Sequence, residues 1–82
     1  MEQNSQNEAG NTHEVLAIRA RNLAEMLVVS VRQIWRLHSA GKLPKPIRLG
    51  GSVRWNRQEV MDWFEAGCPD RRTWDARKEA RS

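Results

Sequence analysis

The 82-residue sequence predicts a mainly α-helical domain with one small β-hairpin, in the order helix, tight turn, helix, hairpin, helix. Three observations predict it. Ser30-Val31-Arg32-Gln33 has the form of a capping box and leads into apolar residues at helical spacing. Only Val28 and Val29 separate that cap from an earlier run, Asn22 to Leu27, in which Leu23, Met26 and Leu27 recur at i, i+3, i+4. Ile47-Arg48-Leu49 and Val53-Arg54-Trp55 alternate around Gly50-Gly51-Ser52, which is a hairpin signal.

Taken in chain order, residues 1–14 are rich in Asn, Gln, Glu and Gly and have too little apolar surface to offset the entropy of ordering; a disordered N-terminal tail is expected there. The folded domain is expected over residues 15–67, opening on a short extended segment in which Leu16 and Ile18 alternate with small or polar neighbours. The first helix is poorly marked at its start, since Arg19 is no capping residue and Asn22 caps only a very short helix. In the second helix Val31, Ile34, Trp35, Leu37 and His38 share one side, while Arg32, Gln33, Arg36 and Ser39 share the other. Gly41 stops it, and Pro44 and Pro46 keep helix from resuming. Asn56-x-x-Glu59 caps a further helix with an apolar stripe of Val60, Trp63 and Phe64, ended by Gly67 and Pro69. Trp55 is expected to close the core beneath the hairpin. Residues 68–82 read as a charged C-terminal tail in which Arg71 to Arg81 can form a helix, with Trp74 as its one large apolar residue. The two-residue link between the first two helices makes them cross steeply, so the whole reads as a winged helix-turn-helix.

Composition narrows the function. A chain this short buries about 60% of its unfolded surface, which leaves no room for a deep catalytic cleft beside a core. The single cysteine, Cys68, excludes an internal disulfide, and with His13 and His38 it makes a poor metal set. No nucleophile–base or metal constellation is present, so neither an enzyme nor a cofactor is expected. No apolar run approaches the ~20 residues of a membrane span, and the N-terminus lacks the apolar region of a secretory signal, so a cytoplasmic protein is expected. Of the formal net charge of +4, residues 19–57 hold nine basic residues against Glu25 alone, +8 over 39 positions, while the flanks sum to −4. A basic block between acidic flanks is the footprint of a polyanion-binding surface.

The polar side of the second helix presents Arg32, Gln33 and Arg36. Arginine pairs bidentately with guanine and glutamine with adenine in the major groove, although the capping box competes for Gln33. The helix N-terminus at Ser30 suits a backbone phosphate. Lys42 and Lys45 flank Pro44 as phosphate contacts, and Gly50, Gly51 and Ser52 let the hairpin backbone approach DNA closely. Arg48 and Arg54 have the same parity, which places them together on the outward face of the hairpin, opposite Leu49, Val53 and Trp55; pairing of Arg54 with Glu59 is the structural alternative. Trp35, at the edge of the apolar face, suits a backbone or sugar contact. A stacking platform of Trp35, Trp55 and Trp63 for single strands is outweighed by the core positions of the latter two. His38 reads as a packed residue, and Cys68, with no activating neighbour, has no catalytic role.

The stretch Asn22-Leu23-Ala24-Glu25-Met26-Leu27-Val28-Val29-Ser30, with Ile34-Trp35-Arg36-Leu37, Gly41-Lys42-Leu43-Pro44, Ile47-Arg48-Leu49-Gly50-Gly51 and Val53-Arg54-Trp55, resembles the AlpA-type and excisionase-type helix-turn-helix proteins, phage-related relatives of the MerR winged-helix domain. The Val60-x-x-Trp63-Phe64 pattern resembles their closing helix, and the likeness spans roughly residues 18–66. It implies a three-helix winged fold with a recognition helix from Ser30 to Ala40 and a wing from Ile47 to Trp55. It also implies a sequence-specific double-stranded DNA-binding protein: a transcriptional regulator, or a factor directing excision of a phage or mobile element. A DNA-recognition subunit of a larger machine of phage-packaging type, or a protein-interaction module reusing the fold, stays open beside it. A module this small reads few base pairs, so a homodimer or a cooperative array on DNA fits the reading. The chain departs from the family pattern at Val28, where glycine is usual in the turn, and at Arg19, where Thr or Ser usually caps the first helix. A valine there must avoid positive φ or bear strain.

Overall fold

A computed structural model describes residues 15–81, so the N-terminal stretch expected to be disordered lies outside the described residues. Strand β1 (Ala17–Ile18) is followed by α1 (Ala20–Leu27), α2 (Val31–Ser39), β2 (Ile47–Leu49), β3 (Ser52–Asn56), α3 (Arg57–Glu65) and α4 (Arg71–Arg81). The sheet order is β1–β3–β2, antiparallel throughout, with Ile18 opposite Trp55 and Arg48 opposite Val53. This is the winged helix-turn-helix that the sequence leads one to expect.

Helix α1 begins two residues earlier than its sequence suggests. A guanidinium has no acceptor, so the Arg19 side chain cannot cap. Instead Asn22, the third helical residue, accepts the Arg19 backbone N–H at 3.0 Å, and Leu23 N–H donates to the Arg19 carbonyl at 2.9 Å. Asn22 thus supports the start from inside the helix. The next two caps form as expected: Ser30 Oγ accepts from Gln33 N–H at 3.0 Å and Asn56 Oδ1 from Glu59 N–H at 2.9 Å. Asp70 Oδ1 caps α4 by accepting Thr73 N–H at 2.8 Å, and the backbone and hydroxyl of Thr73 hold that carboxyl below its ordinary pKa.

Three helices close with one motif, in which an N–H reaches back five residues and the residue before it turns left-handed. Lys42 N–H donates to the Leu37 carbonyl at 2.9 Å with Gly41 at φ 71°, and Cys68 N–H to the Trp63 carbonyl at 3.1 Å with Gly67 at φ 96°. At the end of α1, Val29 N–H donates to the Ala24 carbonyl at 2.9 Å, and the left-handed residue is Val28, at φ 58° and ψ 49°. The chain bears the strain that the sequence leaves as one of two options.

The core gathers Ile18, Leu23, Ala24, Ile34, Leu43, Trp55, Val60, Trp63 and Trp74. Each buried indole N–H is satisfied: Trp55 Nε1 donates to the Pro44 carbonyl at 3.0 Å, Trp63 Nε1 to the Pro69 carbonyl at 2.7 Å and Trp74 Nε1 to Glu59 Oε2 at 2.9 Å. Phe64 does not join the stripe of Val60 and Trp63; it is 58% exposed and lies beside Met26, Leu27 and Met61, whereas Trp74 from α4 completes the core from the Glu59 side of α3. The charged segment after Pro69 therefore contributes Trp74 to the core.

The hairpin also corrects the sequence reading. Gly50 (φ 61°) and Gly51 (φ 90°) form a two-residue turn, which sets Leu49 opposite Ser52 and Ile47 opposite Arg54. Opposed residues share a face, so an even position on one strand faces with an odd position on the other. Arg48 lies on the face of Val53 and Trp55, whereas Arg54 shares the other face with Ile47 and Leu49, and Leu49 is 60% exposed. The two arginines are on opposite faces; equal parity implies a common face only along one strand, not across this turn.

Candidate nucleic-acid interface

Helix α2 is anchored by Ile34, which is fully buried, with Leu37 and His38 half-buried beside it. That burial leaves Arg32 and Arg36 exposed on the opposite side. Among the described residues the Gln33 amide makes no hydrogen bond, because only the Ser30 half of the capping box is formed. Both arginines and the amide are therefore available along the polar side of α2, with Arg32 and Gln33 beside the partial positive charge of its capped end and Arg36 in its last turn.

A groove of about 710 Å³ runs between the start of α1, the N-terminal half of α2 and strand β3. Arg19, Arg21 and Asn22 line it from α1, Val31 and Trp35 from α2, and Ser52 and Arg54 from the hairpin. Trp35 is 39% exposed here, with its ring held 5.7 Å from that of Trp55 and edge-on to His38 at 5.9 Å. Arg54 Nη1 donates to the Val53 carbonyl at 3.1 Å. It does not pair with Glu59, whose Oε2 accepts from Trp74 and Lys78 instead.

Arg48, Lys42 and Lys45 lie toward the other end of α2. Arg48 is close enough to His38 to depress its pKa electrostatically, though burial is the larger cause and Arg71 the second. Arg71 Nη2 meets His38 Nδ1 at 3.0 Å; since a guanidinium only donates, Nδ1 accepts and the imidazole is neutral. Lys42, exposed, acts on the Asp70 carboxylate, and Lys45 is exposed in the loop to β2. Gly50 and Gly51 form the exposed tip, and a Cβ on either would meet open space; their positive φ, rather than crowding, calls for glycine. The structure thus brings Trp35, Ser52 and Arg54 together and sets Lys42 and Arg48 apart from them. It adds Arg19 and Arg21, whose only sign in the sequence is membership of the basic block.

Residues 19–68 match the family model described as a helix-turn-helix domain. The chain belongs to that family, the AlpA- and excisionase-type helix-turn-helix domains. It is a family of DNA-binding domains, so the helix-turn-helix formed by α1, Val28 to Ser30 and α2 is a DNA-binding element and the β2–β3 hairpin is its wing. No curated protein and no solved structure matches the chain. Among the described residues, no group of three His, Cys, Asp or Glu side chains is placed to hold a metal ion, and no helix is long and apolar enough to cross a membrane.

Proposed function

We propose that this helix-turn-helix domain is a sequence-specific double-stranded DNA-binding protein without catalytic activity, acting as a transcriptional regulator or as an excision-directing factor of a phage or mobile element. The observation that carries the reading is the exposed, unpaired polar side of α2 within a segment of net charge +8. In this reading α2 enters the major groove, Arg32 and Arg36 read base edges, and Gln33 adds an adenine contact. The capped N-terminus at Ser30 meets a phosphate. Arg54, Ser52 and the Gly50–Gly51 tip of the wing, together with Trp35, follow the backbone on one side, while Lys42, Lys45 and Arg48 follow it on the other.

Selection of bound fragments from random duplex DNA yields the preferred site. Arg32→Ala and Arg36→Ala are each expected to lose about 5- to 150-fold on that site, or about 1–3 kcal/mol, with much smaller losses on a scrambled duplex and unchanged melting. A variant that binds the selected site as tightly as the parent sinks the assignment of α2 to the major groove.

A further inference from the structure

We infer that the groove between α1, α2 and β3 is a seat for one sugar–phosphate strand of the DNA duplex, in which Arg19 and Arg21 contact phosphates together with Arg54, and Trp35 and Val31 pack against deoxyribose. The inference rests on the DNA-binding reading above and extends the interface to the start of the first helix.

Three arginines from two separate elements line this one groove. Among the described residues neither Arg19 nor Arg21 has an ion-pair partner, and Arg54 uses one of its five N–H groups on its neighbour's carbonyl. Like charges converging with no counter-charge paired to them among the described residues repel, and a polyanion relieves that repulsion. The groove has a second, apolar side. Trp35 and Val31 are 39% and 41% exposed in it, with Ala20 and Val53 beside them. A free phosphate would engage the guanidinium groups and leave the indole and the isopropyl group wet. A sugar–phosphate strand covers both kinds of surface at once, because its deoxyriboses are largely apolar and its phosphates are spaced along the same chain. Base stacking in a single strand is the weaker fit: Trp35 already has Trp55 and His38 against it. The groove also adjoins the N-terminus of α2, where a strand flanking the major groove must pass, and the first helix of a helix-turn-helix crosses the backbone there.

The test uses the full chain with Arg19→Gln, Arg21→Gln, the double glutamine variant and the double lysine variant. Binding to the selected duplex, a scrambled duplex and the selected site's single strand is titrated at several salt concentrations. Each glutamine is expected to lower the slope of log affinity against log salt by about 0.9 on both duplexes alike, the double variant by about 2, and the double lysine variant to keep most of the slope. Melting temperatures should be unchanged, since the Asn22 bond to Arg19 uses the backbone N–H. A double glutamine variant with the parent's slope on both duplexes overturns the inference. So does displacement of the duplex by inorganic phosphate at constant ionic strength in the parent and not in the double variant, which would make this a free-anion site. Tighter binding of single strand than duplex, lost in Trp35→Leu, would make it a base-stacking site and overturn the inference as well. A parent that binds no duplex refutes the DNA-binding reading itself; a parent that binds, with variants of unchanged slope, refutes only the seat.

Discussion

Val28→Gly should stabilise the protein although it deletes an apolar side chain. Val28 closes α1 at φ 58° and ψ 49°, in the left-handed region, where a Cβ crowds the following carbonyl. That costs about 1–2 kcal/mol for an ordinary residue, and a β-branched side chain sits at the upper end. The isopropyl group gains little in return, because Val28 is 87% exposed. Glycine removes the crowding but loses more backbone freedom on folding, at a cost of about 0.5–1 kcal/mol. The difference is a gain of about 1–1.5 kcal/mol, which in a domain of this size raises the melting temperature by about 4–12 °C. Circular-dichroism melts of the parent, Val28→Gly and Val28→Ala measure it, with Gly41→Ala and Gly67→Ala as mirror experiments. Those two glycines occupy the same closing position at φ 71° and φ 96°, with open space around a notional Cβ, so alanine there should destabilise through backbone conformation alone. If Val28→Gly melts at or below the parent temperature while the two alanine variants lose stability as expected, the strain assigned to Val28 does not exist.

Three further outcomes are expected. Trp74→Ala should cost about 3–5 kcal/mol in chemical denaturation, as Trp63→Ala should, because Trp74 is 3% exposed within the same core; a variant as stable as the parent would detach α4 from the folded unit. Arg71→Ala should cost about 1.5–3 kcal/mol, because it strips charged hydrogen bonds from the His38 and Leu43 carbonyls, and Arg71→Lys should recover only part of this, lacking the planar fork. Burial, then Arg71 and Arg48, hold His38 below its ordinary 6.5, so as pH falls through that value the unfolded chain takes up a proton first. The stability His38 contributes is full above pH 6.5 and declines through the window beneath it; melting temperatures of His38→Gln that parallel the parent's across that window would refute the assignment.

What the sequence made legible was local chemistry. Ser30 and Asn56 cap as their residue types and spacing require, Gly41 and Gly67 end their helices, and Gly50–Gly51 turns the hairpin. Each of these depends on a few neighbouring atoms. The readings that failed depend on partners distant in the chain. The parity of Arg48 and Arg54 fixed a face only along each strand; the two-residue turn between them sets the pairing and inverts the relation. Phe64 is left exposed beside Met26 and Met61, whereas Trp74, ten residues on, enters the core beside Glu59, and nothing in the local pattern around either residue announces that outcome. Asn22 looked like a late cap because its partner, the Arg19 N–H, is reached only once the helix extends back past it. The polar side of α2 was visible as a stripe, whereas the groove was not: it requires the start of α1 and strand β3 to meet across α2.

The same contrast bears on α4, which lies beyond residue 68, where the family match ends, yet is tied to the DNA-binding element. The last carbonyls of a helix lack intrahelical partners and carry partial negative charge, so a cation is stabilising there. Arg71 fills that role for α2: Nη2 donates to the His38 carbonyl at 3.0 Å, and its own backbone N–H to the Gly41 carbonyl at 2.9 Å. Nε reaches further, to the Leu43 carbonyl at 3.1 Å, in the loop that leads from α2 into the wing. Leu43 is fully buried, and the next residue, Pro44, accepts the indole N–H of Trp55 in β3. A continuous set of hydrogen bonds therefore runs from α4 through the end of α2 and its exit loop into the hairpin. The relative placement of α2 and the wing, on which any reading of DNA by this domain depends, is fixed from behind by a segment that a boundary drawn at residue 67 assigns to the tail.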